Sequence, residues 1–329
     1  MPALRALPGS SHPFMRPIKR VQVIINPAAG QNTPVLSIIN DVFQPLEIDW
    51  EVAITKKAGD ARAQAQAAVQ SGVDVVAAYG GDGTVMEVAS GLLGSDVPLA
   101  ILPGGTGNVI SIDLGIPADL GAACLLAVGE KSRVATIDCG QLNDQIFLLR
   151  LSVGLEAEMV ETTTREAKDR YGIFAYLWSA VQNLRQPEVA HFKITLDGQE
   201  IETEGVTCIV ANSGNLGLSG VNLLPTVKID DGLLDVIVVQ QANVAALIEI
   251  LGSVLGIRET PVLDASAETI DAQLQQALHA WQAREITIVT TPTRPIQADG
   301  ELIGEGTIQC KVLPQALKVL VPDLVVAKV

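Results

Sequence analysis

Residues 80–88 read Gly-Gly-Asp-Gly-Thr-Val-Met-Glu-Val and lie between two segments of different periodicity. The apolar run Val73–Tyr79 before them predicts a buried strand, and in Val85–Leu93 after them apolar residues recur at helical spacing. A strand that turns into a helix through three glycines leaves backbone N–H groups bare at the helix N-terminus. Unsatisfied donors and the positive end of the helix dipole both favour an anion there, phosphate above all. Glycine lets the backbone approach closely and adopt positive φ, and Asp82 sets a carboxylate beside the anion, which suits a cation held between them. A single glycine turn is usually only a turn.

Here two more loops of the same design flank it. Val21–Ile25 ends in Asn26-Pro27-Ala28-Ala29-Gly30, and Leu99–Leu102 ends in Pro103-Gly104-Gly105-Thr106-Gly107-Asn108. From Val21 to about Asp138 strand and helix patterns alternate, with strands expected at Val21–Asn26, Ile48–Ile54, Val73–Tyr79, Leu99–Leu102 and Val134–Asp138. Asp60–Ser71 is the clearest helix between them. Such βαβ alternation implies a parallel sheet covered on both faces. The three loops would then converge at the C-terminal edge of that sheet, where open α/β sheets bind nucleotides.

After Asp138 the texture changes. Phe147–Val153, Phe192–Leu196, Glu200–Glu204, Val206–Ala211, Leu234–Val239, Ile286–Thr290 and Thr307–Val312 are short and rich in β-branched residues. Asp197-Gly198, Asp231-Gly232 and Asp299-Gly300 fall between such runs, as hairpin turns do. An antiparallel sandwich or barrel is expected, interrupted by helical insertions near Ala157–Asn183, Val244–Gly256 and Ala267–Ala283. The expected division is an α/β domain over residues 18–138, completed by 313–329, and a β-rich domain over 139–312.

Composition narrows the function. Of 329 residues 48% are hydrophobic and 18% charged, a globular balance, and the net charge of −15 disfavours nucleic acid. The same charge weakens stable docking on an anionic membrane. Cys124, Cys139, Cys208 and Cys310 are too scattered for a zinc site or a disulfide scaffold. The histidines, His12, His191 and His279, form no metal motif. The longest apolar candidate, Val244–Ile257, is interrupted by Glu249 and too short to span a bilayer, and the proline-containing Met1–Arg20 lacks a signal-peptide core. A cytoplasmic protein without a transmembrane segment is expected.

No G-x-x-x-x-G-K-[ST] occurs, and Gly81, Gly83 and Met86 fail G-x-G-x-x-G at its third glycine. What remains is N-P-x-x-G at Asn26–Gly30, G-G-D-G-T-x-x-E-V at Gly80–Val88 and P-x-G-T-x-N at Pro103–Asn108. This set resembles the diacylglycerol kinase and sphingosine kinase type of lipid kinase, and the resemblance runs from about Val21 to Pro322. It implies an α/β nucleotide-binding domain of NAD kinase-like fold with a parallel sheet, plus a β-rich antiparallel sandwich domain. The implied activity is Mg²⁺-dependent transfer of the γ-phosphoryl group of ATP to a lipid hydroxyl, diacylglycerol by default, during transient contact with a membrane surface.

The resemblance also implies site residues. ATP contacts fall on Asn26, Pro27, Ala28, Ala29, Gly30, Gly80, Gly81, Asp82, Gly83, Thr84, Val85, Met86 and Thr106. Thr55 joins them because Thr55…Gly59-Asp60-Ala61 resembles the T…G-D-A element of the family. Asp299-Gly300-Glu301 matches the family's D-G-E, with Glu301 as the general base, Asp299 second, and Asp82 more suited to Mg²⁺. Lys228, Asp231 and Leu233 resemble a structural Mg²⁺ site of one carboxylate and two carbonyls. Val109 stands where the family often carries Asp, which leaves the carboxylate network to Asp82, Asp138, Asp299 and Glu301. Arg165–Leu184 resembles a helix that could line a lipid cleft. Two alternatives stay open: an NAD kinase-like enzyme, which shares G-G-D-G-T, and a lipid- or nucleotide-binding regulatory protein without turnover. An exposed edge strand in the β-rich domain would also allow a homodimer.

Overall fold

A computed structural model of the chain describes residues 17–30, 33–154, 188–218, 221–222, 227–240 and 278–323. The helices expected at Ala157–Asn183 and Val244–Gly256 fall outside these residues. The chain divides into two compact units, one of Met1–Cys139 with Pro314–Val329 and the other of Gly140–Leu313.

In the first unit the strands are β1 (Arg20–Ile25), β2 (Asp49–Ile54), β3 (Val75–Gly80), β4 (Leu99–Pro103) and β5 (Ser132–Leu142), whose last residues enter the second unit. The helices are α1 (Val35–Phe43), α2 (Asp60–Ser71), α3 (Asp82–Leu92), α4 (Val109–Asp113) and α5 (Leu120–Ala127). The first four strands pair in parallel in the order β2-β1-β3-β4, and Val319 continues the sheet in parallel beside Leu99 of β4. Every residue of β3 and β4 is buried, the continuous apolar pattern of a parallel strand covered on both faces. Small residues bring α2 against α3: Ala61, Ala65 and Ala68 form its buried stripe, and a Cβ on Gly91 would lie 2.6 Å from the Arg62 carbonyl oxygen.

The second unit is a two-sheet β-sandwich. Its strands are β6 (Gln145–Phe147), β7 (Arg150–Gly154), β8 (Ala190–Leu196), β9 (Gln199–Gly205), β10 (Thr207–Ala211), β11 (Asn215–Leu218), β12 (Val221–Asn222) and β13 (Leu234–Val239). They continue with β14 (Leu278–Ala283), β15 (Glu285–Thr291), β16 (Pro295–Ala298), β17 (Glu301–Glu305) and β18 (Ile308–Pro322). One antiparallel sheet joins β9, β8, β15 and the start of β18, and the other runs β14-β13-β10-β7-β16-β17. Their inner faces share a core that includes Leu151, Val153, Phe192, Ile194, Val210, Val236, Ile286, Ile288 and Ile308. Burial of such side chains, at about 25 cal/mol per Å² of apolar surface, is the main stabilising term.

Two expectations need correction. Residues 278–283, the end of the expected Ala267–Ala283 helix, form β14, because pairing with β13 from Leu234 to Val239 outweighs the helix propensity of a Gln- and Ala-rich segment. β18 runs without interruption across the division between the units, and only Gln315 departs from extended geometry, with φ +49°. Asp197-Gly198 and Asp299-Gly300 are two-residue hairpin turns, with φ of +48° and +86° in one and +46° and +85° in the other. Asp231-Gly232 is not one: it leads into β13, which pairs with β10 and β14.

Candidate active site

Adjacent parallel strands deliver their turns to one rim, and the turns after β1, β3 and β4 are tied together there. The Asn26 amide donates to the Tyr79 carbonyl at 3.0 Å, its Nδ2 donates to Thr84 Oγ1 at 3.1 Å, and its Oδ1 accepts the Ala28 amide at 3.0 Å. The asparagine amide supplies both halves of this arrangement, a donor to the Thr84 hydroxyl and an acceptor for the Ala28 amide. Gly30 holds φ +61° with the Tyr79 hydroxyl where a Cβ would stand, so this turn closes only on glycine.

The second and third turns meet backbone to backbone. The Gly104 amide donates to the Gly80 carbonyl at 2.9 Å, and a Cβ on Gly105 would lie 2.5 Å from the Gly81 Cα. Asn108, with φ +50°, closes the third turn on itself: its Oδ1 accepts the Gly105 amide at 2.9 Å and its Nδ2 donates to the Gly105 carbonyl at 2.7 Å. Asp82 Oδ1 accepts the Ile110 amide at 3.1 Å, so this carboxylate caps α4 from the first turn of α3. Val109 is the first residue of α4, and the carboxylate at this helix start comes from Asp82.

At the start of α3 the Thr84 and Val85 amides donate to the Gly81 carbonyl at 3.0 and 3.1 Å. The amides of Asp82 and Gly83 have no partner among the described residues. Thr84 and Val85 are buried, whereas Pro27, Ala28, Gly83 and Thr106 are exposed at the rim and Ala29 and Met86 are half-buried. Thr84 and Val85 are therefore wall and floor, and the accessible donors lie at residues 82 and 83.

Thr55 directly follows β2 on the same side of the sheet, its amide donating to the Ile25 carbonyl at 2.9 Å. The loop after it is set by two carboxylates. Asp60 accepts the Lys56 and Lys57 amides at 2.8 and 3.1 Å, and the Lys56 bond chiefly holds its carboxyl below the usual range. Glu87, the acid of the G-G-D-G-T-x-x-E-V motif, reaches across from α3 and accepts the Gly59 and Ala61 amides at 2.9 and 3.1 Å. Sequence reasoning assigned Glu87 no role; the conspicuous signal was an acid one helical turn beyond the glycines. Asp138, fully buried, accepts the Gln315 amide at 2.7 Å and so anchors the bend in β18.

In the second unit the β16–β17 turn carries the paired acids. Asp299 accepts three amides, from Leu148 at 2.7 Å, Leu149 at 3.0 Å and Arg150 at 2.9 Å. Burial pushes its carboxyl up to about 6, against those amides and the nearby Arg150 charge, which favour the ionised form. Gln297 supports the same turn, its Oε1 accepting the Gly300 amide at 2.7 Å and its Nε2 donating to Ser152 Oγ at 2.8 Å. Glu301 follows on β17 with its side chain exposed. Asp197 works like Asp299, accepting the Arg284 and Glu285 amides at 3.0 and 2.8 Å, so an Asp-Gly turn that clamps a neighbouring strand is a recurrent device here.

Lys228, Asp231 and Leu233 occupy one turn, in which Asp231 Oδ1 accepts the Leu233 amide at 3.1 Å. Two residues on, burial pushes Asp235 up to about 6. Among the described residues no group of three or more His, Cys, Asp or Glu side chains could hold a metal, so any cation at 228–233 would depend on carbonyls as well as Asp231. Among the described residues no helix is long and apolar enough to cross a membrane.

Residues 20–142 match the diacylglycerol kinase catalytic domain, and residues 150–321 match the YegS C-terminal NAD kinase beta sandwich-like domain. An uncharacterized protein of Synechocystis sp. is 29% identical over 92% of this chain and 70% of its own length. A protein of Staphylococcus saprophyticus named diacylglycerol kinase is 25% identical over 93% of this chain and 96% of its own. A crystal structure titled as a diacylglycerol kinase from Bacillus anthracis superposes with a TM-score of 0.74 at 30% identity, covering 94% of this chain and 99% of that one.

Proposed function

The chain belongs to the diacylglycerol kinase catalytic-domain family and is a lipid kinase, and from that premise we propose that it transfers the γ-phosphoryl group of ATP to the hydroxyl of diacylglycerol. The observation that carries the ATP reading is the rim itself. Three glycine turns interlock, and two helix-start amides point outward without a partner among the described residues. A polyphosphate satisfies such donors and the dipole end of α3 together. Asn26–Gly30, Gly80–Met86 and Thr106 form the phosphate cradle in this reading, with Thr55 beside them.

Asp82 would hold the Mg²⁺ of the nucleotide, whose charge offsets that of the phosphates. The fit is reasonable, because the Ile110 amide engages Oδ1 alone and Gly107 leaves room at Oδ2, where an added Cβ would stand 3.1 Å away. In this reading Lys228, Asp231 and Leu233 would hold a structural cation. Glu301 takes the proton from the attacking lipid hydroxyl; Asp299, engaged by three amides, is the second choice.

The Asp82 role has its own check. Asp82→Asn keeps an oxygen for the Ile110 amide while removing the charge, so Tm should stay within about 2 °C of the parent. The kcat should fall about 100-fold, the scale expected for losing one electrostatic partner of the transferred phosphoryl group. A fall in Tm without a kcat effect would make Asp82 a cap and nothing more.

The function is tested with radiolabelled ATP, Mg²⁺ and either diacylglycerol micelles, a total lipid extract or NAD. Labelled phosphatidic acid from diacylglycerol is the expected product. A different labelled lipid in the extract would change the acceptor and keep the phosphoryl donor. Formation of NADP would overturn the lipid reading, and no transfer to any acceptor would leave a binding protein.

A further inference from the structure

We infer that Tyr79 is a positioning residue of the rim: its phenol is the spacer that fixes the first glycine turn relative to the third and so sets the affinity for ATP. The inference rests on the ATP reading above. Tyr79 lies on β3, the strand between β1 and β4, opposite Ile25 on one side and Leu102 on the other. Ile25 ends β1, and only Pro103 follows Leu102 in β4, so a side chain at this position can reach the turn on each flank. It is 2% exposed and among the largest side chains that the described residues bury.

Each flanking turn presents a glycine to the phenol. A Cβ on Gly104 would lie 2.8 Å from Cζ, 3.0 Å from Cε2 and 3.1 Å from Cε1, so the third turn rests its backbone on the far end of the ring. A Cβ on Gly30 would overlap the hydroxyl and stand 2.9 Å from Cζ, so the first turn rests there as well. The hydroxyl is hydrogen-bonded to the Thr33 side chain, and the Tyr79 carbonyl accepts the Asn26 amide at 3.0 Å. One residue thus holds the first turn at its start, at Asn26, and again just before α1, at Thr33. Burial pushes the phenol pKa up, so the group stays protonated; its part is to fill and to bond, not to carry charge.

The first turn is bonded to the second through Asn26 and Thr84, and the second to the third through Gly80 and Gly104. The first and third turns meet on the Tyr79 ring. An aromatic body with few rotatable bonds holds such a separation at little cost in conformational entropy. Without it the two turns would have to be ordered as ATP binds. That cost falls equally on the bound substrate and on the transition state, and an equal loss in both raises KM while leaving kcat unchanged.

Steady-state kinetics on the full chain, with ATP as the varied substrate, test this. Tyr79→Leu keeps the side chain as far as Cδ and deletes the ring end and hydroxyl that meet Gly30 and Gly104. It should raise KM for ATP about tenfold and leave kcat within about twofold. Tyr79→Phe keeps the ring and should stay within about threefold of the parental KM. Gly104, whose φ is not positive, accepts alanine as far as its backbone is concerned. Gly104→Ala should therefore raise KM about tenfold in the parent and in Tyr79→Phe, but less than about twofold in Tyr79→Leu, where the atoms it strikes are gone. Truncating a buried ring lowers Tm whatever the role, so the assays run below the Tm of every variant. Parental KM in Tyr79→Leu, a loss confined to kcat, or a Gly104→Ala penalty as large in Tyr79→Leu as in the parent would overturn the role alone. A parent without ATP-dependent transfer would overturn the donor reading and this role with it.

Discussion

Gly105→Val should take lipid phosphorylation at least 100-fold below the parent, the scale on which displaced catalytic geometry is felt. A Cβ at position 105 meets the Gly81 Cα at 2.5 Å, Asn108 Oδ1 at 3.0 Å and the Gly81 nitrogen at 3.2 Å. Two of these three neighbours are backbone, which cannot swing aside as a side-chain tip can. Gly105 is not among the glycines with positive φ, so the penalty is one of space alone. Relief requires the second and third turns to part, which stretches the Gly104 amide bond to Gly80 and moves Gly81, the N-cap of α3. Overpacking of this kind typically costs about 1–3 kcal/mol. The expected result is therefore a folded protein of lower Tm whose KM for ATP rises and whose kcat falls. Parental kinetics at parental Tm would mean the two turns do not act together.

Glu301→Gln should reduce kcat by about 10²–10⁴-fold with no change in Tm, since general-base groups contribute on that scale and the side chain is exposed. Asp299→Asn should behave differently. Its new Nδ2 group would face an amide that now donates to a carboxylate oxygen, leaving at least one of the Leu148, Leu149 and Arg150 amides without an acceptor. A buried unsatisfied donor costs about 1–3 kcal/mol, so Tm should fall together with activity. The pH profile separates the two acids. Asp299 as the base would make the rate climb through about pH 6, where burial holds its carboxyl.

Asp299 also has a stability signature with the sign set by that shift. Its pKa is raised to about 6 from an ordinary 3.8, so the folded chain binds the extra proton between those values. Its contribution to stability is greatest at low pH and declines as pH rises through that window. Asp299→Asn removes this dependence. Loss of activity in Glu301→Gln at unchanged Tm would assign the proton acceptor to Glu301. Full activity in that variant would transfer the role to Asp299.

Much of the rim was legible in the chain because its determinants are local. A buried apolar run followed by glycine and then helical spacing specifies strand, turn and helix within one short segment, as at Val75–Leu92. The parallel alternation then requires successive turns to emerge on one side. The hairpin turns Asp197-Gly198 and Asp299-Gly300 were equally local, since positive φ at both positions favours such pairs. The Gln- and Ala-rich stretch ending at Ala283 misled for the converse reason: its helix propensity is local, but β14 is held by a partner strand some forty residues earlier.

The sequence by itself determined that this chain builds a parallel α/β unit with three glycine turns at one rim, followed by a β-sandwich whose paired acids lie in a hairpin. Those features follow from backbone conformations that neighbouring residues impose on one another. Tertiary structure alone decided what the carboxylates hold. Asp82 caps α4, Glu87 caps the start of α2, Asp138 anchors Gln315 and Asp299 clamps Leu148–Arg150, each across a separation that no local pattern encodes. A carboxylate accepts amides from whatever backbone the fold carries to it, so its identity was readable in the chain and its partner only in the folded molecule.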